Sequence, residues 1–211
     1  MAALASFTKH VSYSTAVTDA VLFPTSDLKK QLNLPSTGTD DDTWLSLAAS
    51  VARSLIERSV PGGMAVRFQT KQLHLNKFPN LESDNGEIEL PFPPYNAVSK
   101  INYYDEGNVN STLASTSYRV IDPGNGNRAR VFPLIDEVWP VTRLREDAVI
   151  VEFTCGSTCS TDLPPTVKHA VNLLVTHWYE NRGALMVGVV SKEMEIGLQS
   201  LLAANGYGFY G

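Results

Sequence analysis

The chain has 211 residues, the size of one large domain or of one domain that carries an insertion. Hydrophobic residues make up 43% and charged residues 18%, which is enough apolar material for a core and unlike a disordered protein. The net charge of −5, with scattered basic residues, argues against DNA coating, since duplex-binding domains usually carry a basic patch. No apolar run approaches the ~20 residues of a membrane span, and the start lacks a basic signal-peptide region. We therefore expect a soluble protein made in the cytoplasm.

The first part of the chain is predicted to be helical after an extended start. Residues 1–25 show no clear period and are predicted to form an extended N-terminal arm. Ser26 is a good N-cap for a short helix over Asp27–Leu32, and a longer helix is predicted over Asp41–Arg58, within a helical part at 26–62. The longer helix has an apolar face of Trp44, Leu47, Ala48, Val51 and Leu55. Its opposite face is polar and consists of Ser46, Ser50, Arg53, Ser54 and Glu57.

Residues 63–160 change to the pattern of an antiparallel β insertion. Short runs rich in β-branched and aromatic residues alternate with turn residues such as Asp84–Gly86 and Asp105–Gly107. The predicted strands are Ala65–Leu75, Glu87–Leu90, Val98–Tyr104, Ser117–Ile121, Arg128–Phe132 and Ala148–Thr154. No helical segment in this region is long enough for the crossovers of a parallel sheet.

The helical period returns over residues 161–204. Apolar residues again recur on one helical face: Val167, Ala170, Val171, Leu174 and Trp178. Arg182 and Gly183 suit the end of this helix, and a last helix is predicted over Ser191–Ala204, before an aromatic tail at 205–211. The fold class is therefore α+β, a small helical bundle interrupted by an antiparallel β insertion, because neither group of helices could bury its apolar face alone.

His169, His177 and Glu180 are the candidates for a metal site. The eight residues from His169 to His177 place their imidazoles ~12 Å apart along the helix axis, too far to share one ion. His177 and Glu180 could supply two ligands, but nothing in the sequence identifies a third. We expect no bound metal, and we interpret the histidines as surface or interface residues.

No other pattern predicts a reaction centre. Cys155 and Cys159 are the only cysteines, and we interpret them as buried thiols, with a disulfide left open, because a closed zinc site needs more ligands. Pro123–Gly126 lacks the lysine and the helix of a phosphate loop and is interpreted as a hairpin turn. Asp40–Asp42 lacks the spacing of an EF-hand loop and suits a helix start. We therefore predict no catalytic residue, no cofactor and no enzymatic activity.

Three segments of the second half follow one another in a recognisable order. Val149–Gly156 is a strand ending in glycine, Leu163–Ala170 has prolines before a helix, and Leu173–Arg182 ends in Tyr-Glu-Asn-Arg. Together they resemble the head–tail connector, or adaptor, family of tailed bacteriophages. Further similar segments are Leu28–Leu32, Asp41–Arg58, Ile101–Asp105, Tyr118–Val120 and Trp139–Pro140. The chain departs from the family at Ser157–Cys159, where an aromatic residue is common.

The resemblance implies a structural subunit of the virion neck that is made in the host cytoplasm during assembly. Such proteins form a ring, usually of twelve copies, beneath the portal, where the ring extends the DNA channel and receives the stopper or tail-completion protein. The implied partners are further copies of the chain, the portal protein and the stopper or tail-completion protein. At −5 per copy, twelve copies would carry roughly −60, so DNA would pass without sequence-specific binding.

Four residues near the end of the 161–182 region are of interest for protein contacts. Trp178, Tyr179 and Arg182 are residue types that are enriched at interface hot spots. We predict Tyr179, Glu180 and Arg182 as candidates for the ring or partner interface. Trp178 fits the core better, since it lies on the apolar face, and Arg182 could equally cap its own helix.

The C-terminal tail is predicted to bind the portal through Tyr207, Phe209 and Tyr210. Its glycines prevent a stable helix, since each costs ~1 kcal/mol relative to alanine. A flexible segment with aromatic anchors suits a groove between portal subunits, and the resemblance implies the same contact. The alternative is that these aromatics fold back on the subunit's own bundle.

Two other classes of function stay open. One is another neck component, a stopper or a tail-completion protein, which would usually be smaller and would lack the helices that frame the β insertion. The other is an enzymatic or small-molecule-binding module within the β insertion.

Overall fold

The structure is a computed structural model that describes residues 11–15, 17–60, 63–81, 85–124, 127–182 and 192–203. Within these ranges the helices are α1 Asp19–Leu22, α2 Thr25–Gln31, α3 Asp42–Ser59, α4 Pro165–Glu180 and α5 Lys192–Leu202. The strands are β1 Val11–Thr15, β2 Gln69–Leu75, β3 Ile88–Glu89, β4 Tyr95–Tyr104, β5 Asn110–Leu113, β6 Tyr118–Ile121, β7 Arg130–Pro133 and β8 Val149–Cys155. The predicted α+β class is confirmed. None of the helices in these ranges is long and apolar enough to cross a membrane.

The strands form two antiparallel sheets. The larger sheet has five strands in the order β1-β2-β8-β4-β5, and the smaller has three in the order β3-β7-β6. Strands β2 and β8 pair along their whole length, from Gln69 opposite Cys155 to Leu75 opposite Val149. In both strands every second side chain is buried, because successive side chains point to opposite faces. The buried faces enclose one hydrophobic core, which includes Phe153 and Ile101.

The helices enclose a second core. Helix α4 packs along α3 and presents Val167, Ala170, Val171, Leu174, Val175 and Trp178 as buried residues. This is the apolar face that was predicted, and Trp178 is a fully buried core residue. Leu22 from α1, Leu28 from α2 and Leu198 from α5 complete the core, so the short helices close the ends of the α3–α4 pair.

Helix α3 is predicted within one residue at each end, but its predicted apolar face is only partly the buried one, and the placement of Leu47 in the core is wrong. The buried residues are Leu45, Ala48, Ala49, Ala52, Arg53 and Ile56. Leu47 is 57% exposed, and Trp44, Val51 and Leu55 are only partly buried. Two apolar stripes overlap on this helix, and the buried one contains the small alanines, which allow α4 to approach closely.

Arg53 was assigned to the polar surface, which is also wrong. Its guanidinium is buried, and its Nε lies 2.7 Å from Oδ1 of Asp19, while Nη1 pairs with Glu57 on the next turn. A buried charge requires such partners, because an isolated ion in the protein interior is costly. The pair also explains how α1 is attached to α3.

Residues 11–25 are more structured than an extended arm. Strand β1 pairs with β2, from Val11 opposite Leu73 to Thr15 opposite Gln69, and α1 follows it. Helix α2 begins at Thr25 after Pro24, not after Ser26 as predicted. The error arises because β1 depends on a distant strand and α1 is only one turn long. Local periodicity shows neither.

Strand β5 was not predicted, and its four residues belong to an edge of the larger sheet. The other β-region elements match predicted strands with ends shifted by up to four residues. The turn predicted at Pro123–Gly126 lies between β6 and β7, where the backbone N–H of Asn127 donates to the carbonyl of Gly124 at 3.0 Å. Gly183 and Ala204 lie outside the described residues.

The helices and the larger sheet meet at a junction formed by residues 66–68 and 155–157. The backbone N–H of Ser157 donates to the carbonyl of Val66 at 3.0 Å, and that of Phe68 donates to the carbonyl of Ser157 at 2.9 Å. Gly156 has φ of +90°, and a Cβ there would lie 2.1 Å from the carbonyl oxygen of Arg67. Only glycine allows the two backbones to approach so closely.

Candidate partner-binding surface

The C-terminal end of α4 meets the N-terminal end of α3 at one carboxylate. The hydroxyl of Tyr179 donates to Oδ2 of Asp41 at 2.9 Å, and Nη2 of Arg182 donates to Oδ1 at 2.8 Å. Asp41 is the residue just before α3, where a negative charge also suits the helix dipole. Two helices far apart in sequence are thereby joined.

Two aromatic rings and a guanidinium surround this carboxylate. Trp44 and Tyr179 meet edge to face, with ring centroids 5.5 Å apart and planes at 76°. The guanidinium carbon of Arg182 lies 3.9 Å from the Tyr179 centroid and 4.3 Å from that of Trp44. We refer to Asp41, Trp44, Tyr179 and Arg182 as the aromatic–arginine cluster. Cation–π contacts of this kind hold the guanidinium in a fixed plane.

The electrostatics of the cluster maintain this arrangement at neutral pH. Hydrogen bonds from Arg182 and Tyr179 hold the pKa of Asp41 below its ordinary value. The hydrogen bond to Asp41 raises the pKa of Tyr179, so its hydroxyl stays protonated and remains a donor. The Asp41 and Arg182 side chains are 30% and 40% exposed, and a solvated ion pair contributes little to stability. Its main effect is to position the side chains.

An apolar strip continues from the cluster along α3. Trp44 is followed by the exposed Leu47 and then by Val51 and Leu55, which, like Trp44, are half-buried against the helical core. We call these four residues the α3 strip. With Tyr179 and Arg182 beside it, the strip has the composition of an interface centre, where aromatic residues and arginine are enriched.

The structure brings together two of the three predicted interface residues. Tyr179 and Arg182 are in the cluster, whereas Glu180 is exposed and does not belong to it. The hydrogen bond of Arg182 runs to Asp41 of another helix, so its proposed role as a cap of its own helix receives no support. Tyr207, Phe209 and Tyr210 lie outside the described residues.

Asp41 and Leu47 are the surface residues that sequence reasoning missed. Asp41 was interpreted only as helix-start charge, and Leu47 was assigned to the core. No signal in the sequence marks Leu47 as exposed, because α3 packs against α1, α2 and α4 and apolar residues are therefore expected around much of this helix.

The histidines and cysteines that were considered for a metal site or a reaction centre do not form a common metal site within the described residues. His169 is exposed and His177 half-buried, and the described residues contain no group of three or more side chains suited to holding a metal. Both cysteines are free thiols, but only Cys155 is buried as predicted, whereas Cys159 is half-buried. Burial raises the pKa of Cys155 to about 12. Cys155 is therefore protonated at neutral pH and is a poor nucleophile.

Comparison with known proteins identifies the fold. No protein-family model and no curated protein matches the chain. A chain from the neck of an empty gene transfer agent particle, computed with C6 symmetry, matches with a TM-score of 0.67, 19% identity and 96% coverage of both chains. The chain has the fold of a neck protein. The fold that the phage connector resemblance implied is thus confirmed.

Two further structures carry the same fold. A chain from the virion of a native gene transfer agent particle gives a TM-score of 0.64 at 22% identity, over 89% of this chain and 92% of that one. A chain from the neck of the native particle, computed with C12 symmetry, gives 0.61 at 19% identity over 96% of both chains. The neck-protein fold therefore extends over both the helical and the β parts.

Proposed function

We propose that the chain is a structural subunit of the neck of a tailed phage or phage-like particle, and that it acts there as the head–tail connector (adaptor). Copies of the chain form a ring beneath the portal, extend the DNA channel and provide a platform for the stopper or tail-completion protein. The observation that carries the proposal is the neck-protein fold over 96% of the chain, shared with neck assemblies of sixfold and twelvefold symmetry.

The α3 strip and the aromatic–arginine cluster support a ring contact. In a closed ring, one face of a subunit meets a different face of its neighbour. Leu47 is exposed beside Trp44, and Arg182 is already fixed by Asp41 and the two rings. A neighbour can bury this surface without first ordering its side chains, which lowers the entropic cost of association. We assign this surface to the interface between copies.

The charge of the chain supports a conduit for DNA. With 17 basic and 22 acidic residues, the chain has a net charge of −5. A ring of such subunits repels the phosphate backbone over most of its surface, and long-range repulsion favours passage over retention. A structural role of this kind requires no catalytic residue, cofactor or metal.

Portal attachment is assigned to the C-terminal tail, through Tyr207, Phe209 and Tyr210. The tail follows α5 in the chain, and Leu198 and Leu202 of that helix are buried in the helical core. Aromatic side chains between glycines can enter grooves on a partner while the backbone adapts.

The test uses the purified chain with and without the purified portal of the same particle. Light scattering should show a monomer or a weak oligomer alone, and electron microscopy should show a ring on the portal. A tight dimer that persists with the portal would contradict the proposal. A chain that ignores the portal but binds tail tubes would instead be a tail-completion protein.

A deletion of residues 206–211 tests the tail separately. We expect a nearly unchanged melting temperature and a loss of portal binding. A deletion variant that melts several degrees lower and still binds the portal would show that the tail belongs to the subunit's own core.

A further inference from the structure

A long loop lies at the end of the larger sheet that is remote from the helices. Residues 134–148 connect β7 of the smaller sheet to the start of β8, whereas the helices meet the larger sheet at the opposite end of β8, near Ser157. Loops longer than about 12–15 residues without secondary structure are uncommon in compact domains and are usually functional. This loop is therefore a candidate for a role of its own.

The loop is held firmly to the body of the protein. Nε1 of Trp139 donates to the carbonyl of Gly86 at 2.8 Å, and its ring stacks on Phe78 at 4.8 Å between centroids and 5° between planes. The backbone N–H of Arg143 donates to the carbonyl of Tyr104 at 3.1 Å. These contacts fix both the middle of the loop and its return to β8.

Despite these anchors, the loop directs large apolar side chains into solvent. Ile135 is 78% exposed, Val138 75%, Val141 70% and Leu144 81%. Large apolar surface exposed on a monomer is often functional, and here four apolar side chains are exposed within one loop. A shallow cavity of about 380 Å³ opens beside them and is lined by Phe78, Pro79, Leu81, Val138, Trp139 and Val141.

The charges around this apolar loop are mostly acidic. Asp136, Glu137 and Glu146 are exposed within it, and Glu106 is exposed in the neighbouring turn, which contacts the loop through Arg145 and Asn108 at 3.0 Å. The exposed cations in this part of the molecule include Lys77, Arg143 and Arg119 of β6, so the exposed carboxylates are in modest excess. Arg145 is neutralised by Asp147. An acidic rim repels both DNA and a second copy of a chain that is itself acidic.

We infer that the loop docks a different protein, one whose contact surface has an apolar centre and a rim of lysine or arginine. The inference rests on the proposed neck function, which gives the partner its position. The loop and the junction with the helices lie at opposite ends of strands seven residues long, about 23 Å apart along the sheet. With the helical end at the portal, the loop faces the tail, so the partner is the tailward component.

The test is the joining of purified tails to purified heads that carry the ring. Ile135→Ser and Leu144→Ser together should leave the melting temperature and ring formation on heads unchanged, and should reduce joined particles at least tenfold by electron microscopy. The matched control is Val21→Ser, an exposed apolar residue on α1. Glu137→Lys with Glu146→Lys should slow joining several-fold at low salt and less at high salt, since rim charges act on association rates.

Each other outcome would overturn the inference. Loop variants that join tails like the wild type would exclude the loop as the docking site. Variants that no longer form rings on heads would show that the loop contacts a second copy instead. If the unmodified protein itself never assembled on heads, the proposed neck function would fail first, and this result is distinct from the other two.

Discussion

The surfaces at the helical end and at the sheet end of the subunit differ in how far their polar groups are paired within the subunit. At the helical end, Asp41 is bonded to Tyr179 and Arg182, so the polar groups of the aromatic–arginine cluster are largely paired within the subunit. At the sheet end, Ile135 and Leu144 are mostly exposed, and the nearby carboxylates form a rim around them. The first surface suits an identical neighbour that meets it many times in a ring. The second suits a partner of complementary charge.

Removing the largest fully buried side chain from each core tests whether the two ends belong to one cooperative unit. Trp178→Ala in the helical core and Phe153→Ala in the sheet core should each destabilise the protein by about 3–5 kcal/mol. Guanidinium denaturation followed by circular dichroism should show one transition, shifted to a similar extent in both variants. Two separate transitions, each sensitive to only one variant, would show that the ends fold independently.

Gly156→Ala tests the junction that joins the two ends. Its positive φ and the 2.1 Å approach to the Arg67 carbonyl should together destabilise the protein by about 3 kcal/mol. Gly124→Ala is the matched control, since Gly124 also has positive φ, of +67°, but nothing lies within 4 Å of its Cβ position. That variant should lose only about 1–2 kcal/mol. Equal losses in thermal unfolding would mean that the close approach at Gly156 is unimportant.

Arg53→Met tests, within the helical end alone, whether the buried ion pair attaches α1 to α3. The substitution leaves Asp19 and Glu57 without their cation and should destabilise the protein by about 2–3 kcal/mol, less than a fully buried pair because both carboxylates keep some water contact. Limited proteolysis should then cut first near α1, which the ion pair attaches to α3. A variant as stable as the wild type would show that packing alone holds α1.

The aromatic–arginine cluster should show the smallest effect on stability and a clear effect on assembly. Because the folded pKa of Asp41 is lowered, its contribution is present above the unfolded value near 3.8 and is lost as the pH falls through the folded pKa. Asp41→Asn should therefore make the melting temperature depend slightly less on pH between pH 5 and pH 2. Arg182→Ala should barely change the melting temperature at pH 7 but weaken ring formation, whereas Glu180→Ala should change neither. Equal assembly by both variants would contradict the assignment of this surface.

The parts of the fold that could be predicted are those encoded by local pattern. Helix α4 has a proline at its start and a single apolar stripe, and β8 has alternating side chains, so both were found nearly complete. Helix α3 was placed correctly, but which of its two apolar stripes is buried depends on how α4 packs against it. Strand β1 depends on β2, which lies more than fifty residues further along the chain.

The candidate site was predictable only in part for the same reason. Tyr179 and Arg182 belong to residue types that are common at interfaces, which was enough to select them. Their shared partner Asp41 is 141 positions from Arg182 in the chain, and no spacing rule connects such residues. In the loop between β7 and β8 only Trp139–Pro140 was singled out from the sequence, because the exposed apolar side chains around it look like core residues.

The junction at Gly156 provides a mechanical connection between the sheet and the helices. Strand β8 starts at the loop, crosses the sheet between β2 and β4, and reaches Gly156, from which the chain continues through a short segment into α4. Backbone hydrogen bonds on both sides of Arg67 hold the crossing together, so the start of the segment that leads to α4 is fixed to the chain before β2. A pull on the loop by an attached tail would therefore be transmitted along one strand into the helical bundle, and the whole subunit would bear the load together.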